Sequence, residues 1–185
     1  MGRYFPPLPP YDQLHPLVVH FPIALLMVAP LLIVLALLVR PWAKGLYLAA
    51  LAIVVVGAMS ARVALTTGDA AEQVVMGSAA MERVLHTHEE LAESTAAWFA
   101  ALAGALALML GVGWKWGARL HAVAKVGAVL VYLAAHAAGL SLLARTGHEG
   151  GRLVHEFGVR SGGNGSGEPA GGDPATTGSN ESTTP

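Results

Sequence analysis

Eight histidines and no cysteine set the chemistry open to this chain of 185 residues. Without thiols there is no disulfide, no thiolate zinc site, no iron–sulfur cluster and no covalently attached c-type haem. Imidazole remains. A neutral ring nitrogen binds zinc, copper or haem iron, and the same ring moves protons near neutral pH. The candidates are His15, His20, His86, His88, His121, His136, His148 and His155. Arg62 and Arg152 are the cations that suit carboxylates or haem propionates near them. No nucleophile elbow, P-loop, dinucleotide fingerprint or HExxH occurs, so no catalytic site of its own is expected. The formal charge of −1 offers no basic excess to hold nucleic acid.

The elements that carry these residues are membrane helices. Hydrophobic residues make up 54% of the chain and charged residues 12%, and the mean hydropathy is +0.54. A soluble domain has about 25% charge, so little is left here to cover a water-facing surface. The apolar runs predict an all-α, integral-membrane four-helix bundle with spans of about 17–39, 45–66, 88–114 and 122–144. These lie in one domain, 15–160. It follows a Pro-rich segment, 1–14, and precedes a tail, 161–185, whose Gly, Ser, Thr and Pro predict disorder. The stretches Arg40 to Lys44 and Lys115 to Lys125 hold cations and no acid, which predicts a cytoplasmic position for both. Both termini then face outward, in a multi-pass membrane protein. No cleavable signal is visible, so the first span is expected to stay as an anchor.

This topology gathers histidines. His15 and His20 open the first span, His86 and His88 the third, and His148 and His155 follow the fourth, all on the outer side. Thr87 and Glu90 read as a capping box that starts helix three, and Asp69 and Glu72 as another that opens a short segment to Leu85. Gly147, Gly150 and Gly151 read as a helix end with a tight return. His136 lies roughly 12 Å below the outer boundary, deep enough to face the bundle interior and hydrogen-bond across helices. Met27 and Met59 are the thioethers nearest to it in depth. Pro30 must free the Leu26 carbonyl, whereas Pro22 suits the first turn of a helix and frees the Val18 carbonyl only if that helix begins at Pro16. Ala97, Ala100, Ala101, Gly104 and Ala105 on helix three, and Gly57 and Ala61 on helix two, predict close helix approach. Symmetry between the two halves is limited, on the sequence, to a leading histidine in each.

Three stretches carry a resemblance. HPLVVHFPIALL (His15 to Leu26), the outer His88, and GGRLVHEFGV (Gly150 to Val159) resemble the bacterial membrane family known as domain of unknown function 2231, over about residues 14–159. His155 and Phe157 stand where relatives often have tyrosine and histidine. The resemblance implies a four-helix membrane protein with no assigned activity. Some relatives are joined to cytochrome c-type domains, which implies redox company.

The leading expectation is a non-covalent b-type haem, or another histidine-ligated metal, near the outer face, relaying electrons. The first choice of ligands is His20 with His88, then His148 with His155, with His15 in reserve. Arg62 and Arg152 are the expected propionate partners. The partners expected are the lipid bilayer and, on the outer side, a cytochrome or respiratory-complex subunit, with an oligomer left open. Two other classes compete. One is a cofactor-free anchor or scaffold of a respiratory complex. The other is a proton or metal-ion transporter using His136, against which four spans are few.

Overall fold

A computed structural model of the chain describes residues 14–72 and 77–159. The Pro-rich segment and the tail, and with them the disorder expected of 161–185, lie outside those residues. The described residues are helical: α1 (His15–Val18), α2 (His20–Leu38), a 3₁₀ turn (Arg40–Trp42), α3 (Ala43–Glu72), α4 (Ala79–Trp116), a second 3₁₀ turn (Gly117–Arg119) and α5 (Ala122–His155). Four spans result, α1 and α2 forming the first, each long and apolar enough to cross a membrane. The break at Val19 follows from Pro22, which has no N–H to donate to Val18.

Most of the apolar surface faces outward, as lipid contact requires. Leu17, Leu31, Leu38, Met59, Val123 and Val131 are all exposed. At one end of the bundle stand Trp42, Trp114 and Trp116, with Lys44 over the Trp114 ring and Lys115 over Trp116. Indole and cation together mark a membrane–water boundary. The histidine-bearing helix ends form the opposite end.

There the helices run further than the apolar runs predict. Helix α4 starts at Ala79, where Ser78 accepts the Met81 N–H at 3.3 Å. Thr87 is no cap: it lies inside α4 and donates to the Arg83 carbonyl at 2.9 Å. Asp69 and Glu72 start nothing, because α3 continues unbroken through Glu72. Residues 73–76 of that expected segment lie outside the described residues. The glycines 147, 150 and 151 are interior to α5, and the left-handed residue is Gly158, at φ 67°. The reason is tertiary. Met81, Val84 and Leu85 form a stripe at helical spacing that packs on Leu153, Phe157 and Val159. This satellite core extends both helices past the span of a ~30 Å hydrocarbon layer.

The main core lies between the helices around Leu26, Ile33, Val54, Phe99 and Leu106. The small residues of α4 do not line it. Ala97, Ala100, Ala101, Gly104 and Ala105 are exposed, while Thr95, Ala96, Phe99, Leu102 and Leu106 face inward. Close approach is made by single glycines instead. A Cβ on Gly57 would stand 2.8 Å from Leu26 Cδ2, and one on Gly139 would stand 2.6 Å from Trp98 Cδ1.

These contacts expose a two-fold repetition that the sequence hides. Pro22, Leu26, Ala29 and Ile33 of α2 are buried at the same spacing as Thr95, Phe99, Leu102 and Leu106 of α4. Ala50, Val54 and Gly57 of α3 are matched in the same way by Tyr132, His136 and Gly139 of α5. Gly57 meets Leu25 and Leu26, and Gly139 meets their counterparts Trp98 and Phe99. The two helix pairs run in the same sense, the pattern of parallel repeats in membrane proteins.

Candidate functional site at the histidine end of the bundle

The repetition places one histidine of each half at the same local motif. His15 Nδ1 lies 3.0 Å from the Ala64 carbonyl and 3.2 Å from Thr67 Oγ1. His88 Nδ1 lies 2.9 Å from the Thr146 carbonyl. In both cases the ring rests against the glycine one turn further on. A Cβ on Gly68 would stand 3.2 Å from His15 Cε1, and one on Gly150 would stand 3.0 Å from His88 Cε1. The two rings meet edge to face, with centroids 6.4 Å apart and planes at 87°.

The bonds fix the chemistry of the rings. A carbonyl only accepts, so each Nδ1 carries the hydrogen and donates it. In the neutral imidazole Nε2 is then bare, with its lone pair free. This is the state of a metal-binding histidine whose second nitrogen is anchored on a backbone carbonyl. The anchors are themselves held. The Thr67 hydroxyl donates to the Ala64 carbonyl at 2.9 Å, and Thr95 Oγ1 stands 3.1 Å from Thr146 Oγ1. Four carboxylates stand nearby: Glu72 and Glu89 lie side by side, with Asp69 and Glu93 close enough to act on Glu89. Asp69 also acts on His15.

The other candidates lie apart from this pair. His20 is exposed and its Nδ1 donates to Pro16 of its own helix turn at 2.6 Å, so the ring in contact with His88 is that of His15. His148 and His155 are exposed and line a groove on α5 with Arg152 and Glu156. Arg152 is engaged on its own helix, 2.9 Å from Glu149 and 3.0 Å from Glu156. Its hydrogen bonds hold the Glu156 carboxyl below the ordinary carboxylate range. Arg62 is exposed on α3. His86 faces Glu90 at 3.6 Å in the open. Among the described residues no group of three or more His, Asp or Glu is placed to hold a metal ion.

His136 is fully buried and bonds across the bundle as expected, its Nε2 lying 2.9 Å from the Leu26 carbonyl. That is the carbonyl Pro30 cannot serve. Met27 and Met59 are both exposed and face away from this buried ring. Residues the sequence did not single out complete both sites: Thr67, Gly68, Thr95, Thr146 and Tyr132. A glycine one turn after the carbonyl that receives a histidine is the signal, and it becomes visible only once the helices are paired.

The ring–glycine contact gives a direct expectation. Gly150→Ala must shift the His88 ring by a few tenths of an ångström, since 3.0 Å is tighter than most Cβ contacts. Alanine also raises helix propensity by about 1 kcal/mol, which offsets the weakened bond in overall stability. The informative readout is therefore the ring. The hydrogen-bonded Nδ1–H signal of His88 in ¹⁵N-histidine spectra should be shifted, with a smaller change for His15 in Gly68→Ala.

Fold and site together define a polytopic membrane protein, an all-helical four-span bundle with paired imidazoles at one end. Residues 11–163 match the family model described as "Predicted membrane protein (DUF2231)", and the chain belongs to that family. No curated protein and no solved structure matches it.

Proposed function

We propose that this protein binds a non-covalent b-type haem, which His15 and His88 would hold, and that it relays electrons between a membrane carrier and an extracytoplasmic redox partner. The observation that carries the reading is the pair itself. Two imidazoles from different helices meet with each Nδ1–H tied to a carbonyl and each Nε2 free. The donor set fits the group. Two protein ligands suffice for an iron whose other positions a porphyrin fills, whereas a zinc site takes three or four from the protein. Haem, when bound, supplies one-electron chemistry. The chain's own contribution is to hold two basic ring nitrogens at fixed orientation and to couple them to the acids beside them. In this reading the basic, tryptophan-rich end faces the cytoplasm and the histidine end faces outward, in a bacterial plasma membrane. The outer partner would be a cytochrome or a respiratory-complex subunit.

A second reading has its own support. The charge of Asp69 acts on His15, which favours a transition-metal cation on the same two nitrogens.

The test is a dithionite-reduced minus oxidised spectrum of protein expressed with haem supply and purified in detergent. Sharp b-type bands are expected. They should vanish in the His15→Ala, His88→Ala double variant and persist in His20→Ala. A flat spectrum from folded protein defeats the haem reading. Metal analysis of that sample then separates the cation reading from a cofactor-free scaffold.

A further inference from the structure

The buried polar groups away from the outer pair lie on α5, one turn apart. His136 is fully buried and Tyr132 is 4% exposed. The His136 Nε2–H is committed to the Leu26 carbonyl, which leaves Nδ1 as a bare acceptor. That Nδ1 is buried and has no hydrogen-bond partner among the described residues. The hydroxyl of Tyr132, a donor, is buried and lacks a partner in the same way. The two rings are neighbours, with centroids 5.9 Å apart and planes tilted by 45°. The Phe99 ring closes the other side of His136 at 5.2 Å.

Unmet polar groups at this depth are costly, because neither lipid nor apolar side chains can satisfy them. The equivalent positions in the first half are Ala50 and Val54, equally buried. His136 is accounted for by the Leu26 carbonyl. Tyr132 has no such account: a phenylalanine would fill the same space. What its hydroxyl adds is a donor beside a bare acceptor that it does not reach.

From this complementarity we infer that Tyr132 Oη and His136 Nδ1 form an internal binding site for one water molecule. The water accepts from the tyrosine O–H and donates to the imidazole nitrogen. Two polar partners meet the minimum for a stably buried water, and both groups are satisfied by the one molecule. The site is separate from the outer pair and does not rest on any cofactor there.

The experiment is solid-state NMR on ¹⁵N-histidine-labelled full-length protein in lipid bilayers. Magnetisation is transferred from water, and His136 is identified by its coupling to a ¹³C-labelled Leu26 carbonyl. The expected result is an Nε2–H tautomer with a hydrogen-bonded Nδ1 and a clear water cross-signal. In Tyr132→Phe, which keeps the ring and removes the hydroxyl, that signal should be lost. A wild-type His136 no wetter than its apolar neighbours overturns the inference. So does a hydrogen-bonded Nδ1 that depends on Tyr132 but receives nothing from water, since that describes a direct tyrosine–histidine bond. A water signal that survives Tyr132→Phe unchanged also overturns it, by removing Tyr132 from the site.

Discussion

Replacing His136 by leucine is expected to destabilise the bundle by about 2–4 kcal/mol, and most of that loss should disappear when Pro30 is also replaced by alanine. The argument starts at Pro30, inside α2. A proline has no N–H, so the carbonyl one turn before it, Leu26, has no helical donor. Leu26 is fully buried, in a region where neither lipid nor water serves the carbonyl. His136 supplies the donor at 2.9 Å, from the other half of the molecule. His136→Leu keeps apolar volume but orphans the carbonyl. Pro30→Ala restores a backbone N–H at the position where Leu26 expects one. Measured by unfolding in mixed SDS micelles, the cycle should show a coupling of about 2–3 kcal/mol. An equal cost of His136→Leu in both backgrounds would show that the ring acts by packing on Phe99 and Tyr132, and that the bond to Leu26 contributes little.

That bond marks how far the sequence could be read. Composition and apolar runs gave four membrane helices, because burial in lipid asks only for length and hydrophobicity. The proline rule named Leu26 as the open carbonyl, and depth named His136 as a group turned inward; both readings meet in one contact. Helix ends were less legible. The Thr87-to-Glu90 pattern matches a capping box, yet it lies inside α4, which Met81, Val84 and Leu153 extend by packing; the Asp69-to-Glu72 pattern matches another, yet it forms the last turn of α3. A local pattern cannot report a contact between distant segments. The pairing of the site histidines was hidden for the same reason. At a helix start each residue turns the ring by about 100°, so His15 and His20 cannot be ranked without the partner helix. The internal repetition was hidden by chemistry. Equivalent positions carry Leu26 and Phe99, Val54 and His136, or Ala50 and Tyr132, and share burial without sharing residue type. The identities that remain at the contacts, His15 with His88, Gly57 with Gly139, and Gly68 with Gly150, are too sparse to stand out.

The repetition also predicts an unequal response at two glycines that look alike in sequence. Gly139→Ala should cost about 1–3 kcal/mol and Gly57→Ala less than about 1 kcal/mol. Both glycines are buried where a helix pair approaches closely. On Gly57 the new methyl meets Leu26 Cδ2 at 2.8 Å and Cγ at 3.0 Å, the branched end of a flexible side chain. On Gly139 it meets Trp98 Cδ1 at 2.6 Å and Phe99 Cζ at 2.9 Å, two flat rings that cannot yield by a small rotation. Both rings are also held. Trp98 Nε1 donates to the Ala135 carbonyl at 2.9 Å, and Phe99 packs on His136. Displacing them therefore disturbs the His136 environment as well as the α4–α5 contact. Giving the second half the residues of the first, Trp98→Leu with Phe99→Leu, should make Gly139→Ala nearly as mild as Gly57→Ala, when its cost is measured within that background. If the penalty at Gly139 stays the same after that exchange, the clash with the rings is not its cause, and the equivalence of the two glycine contacts fails with it.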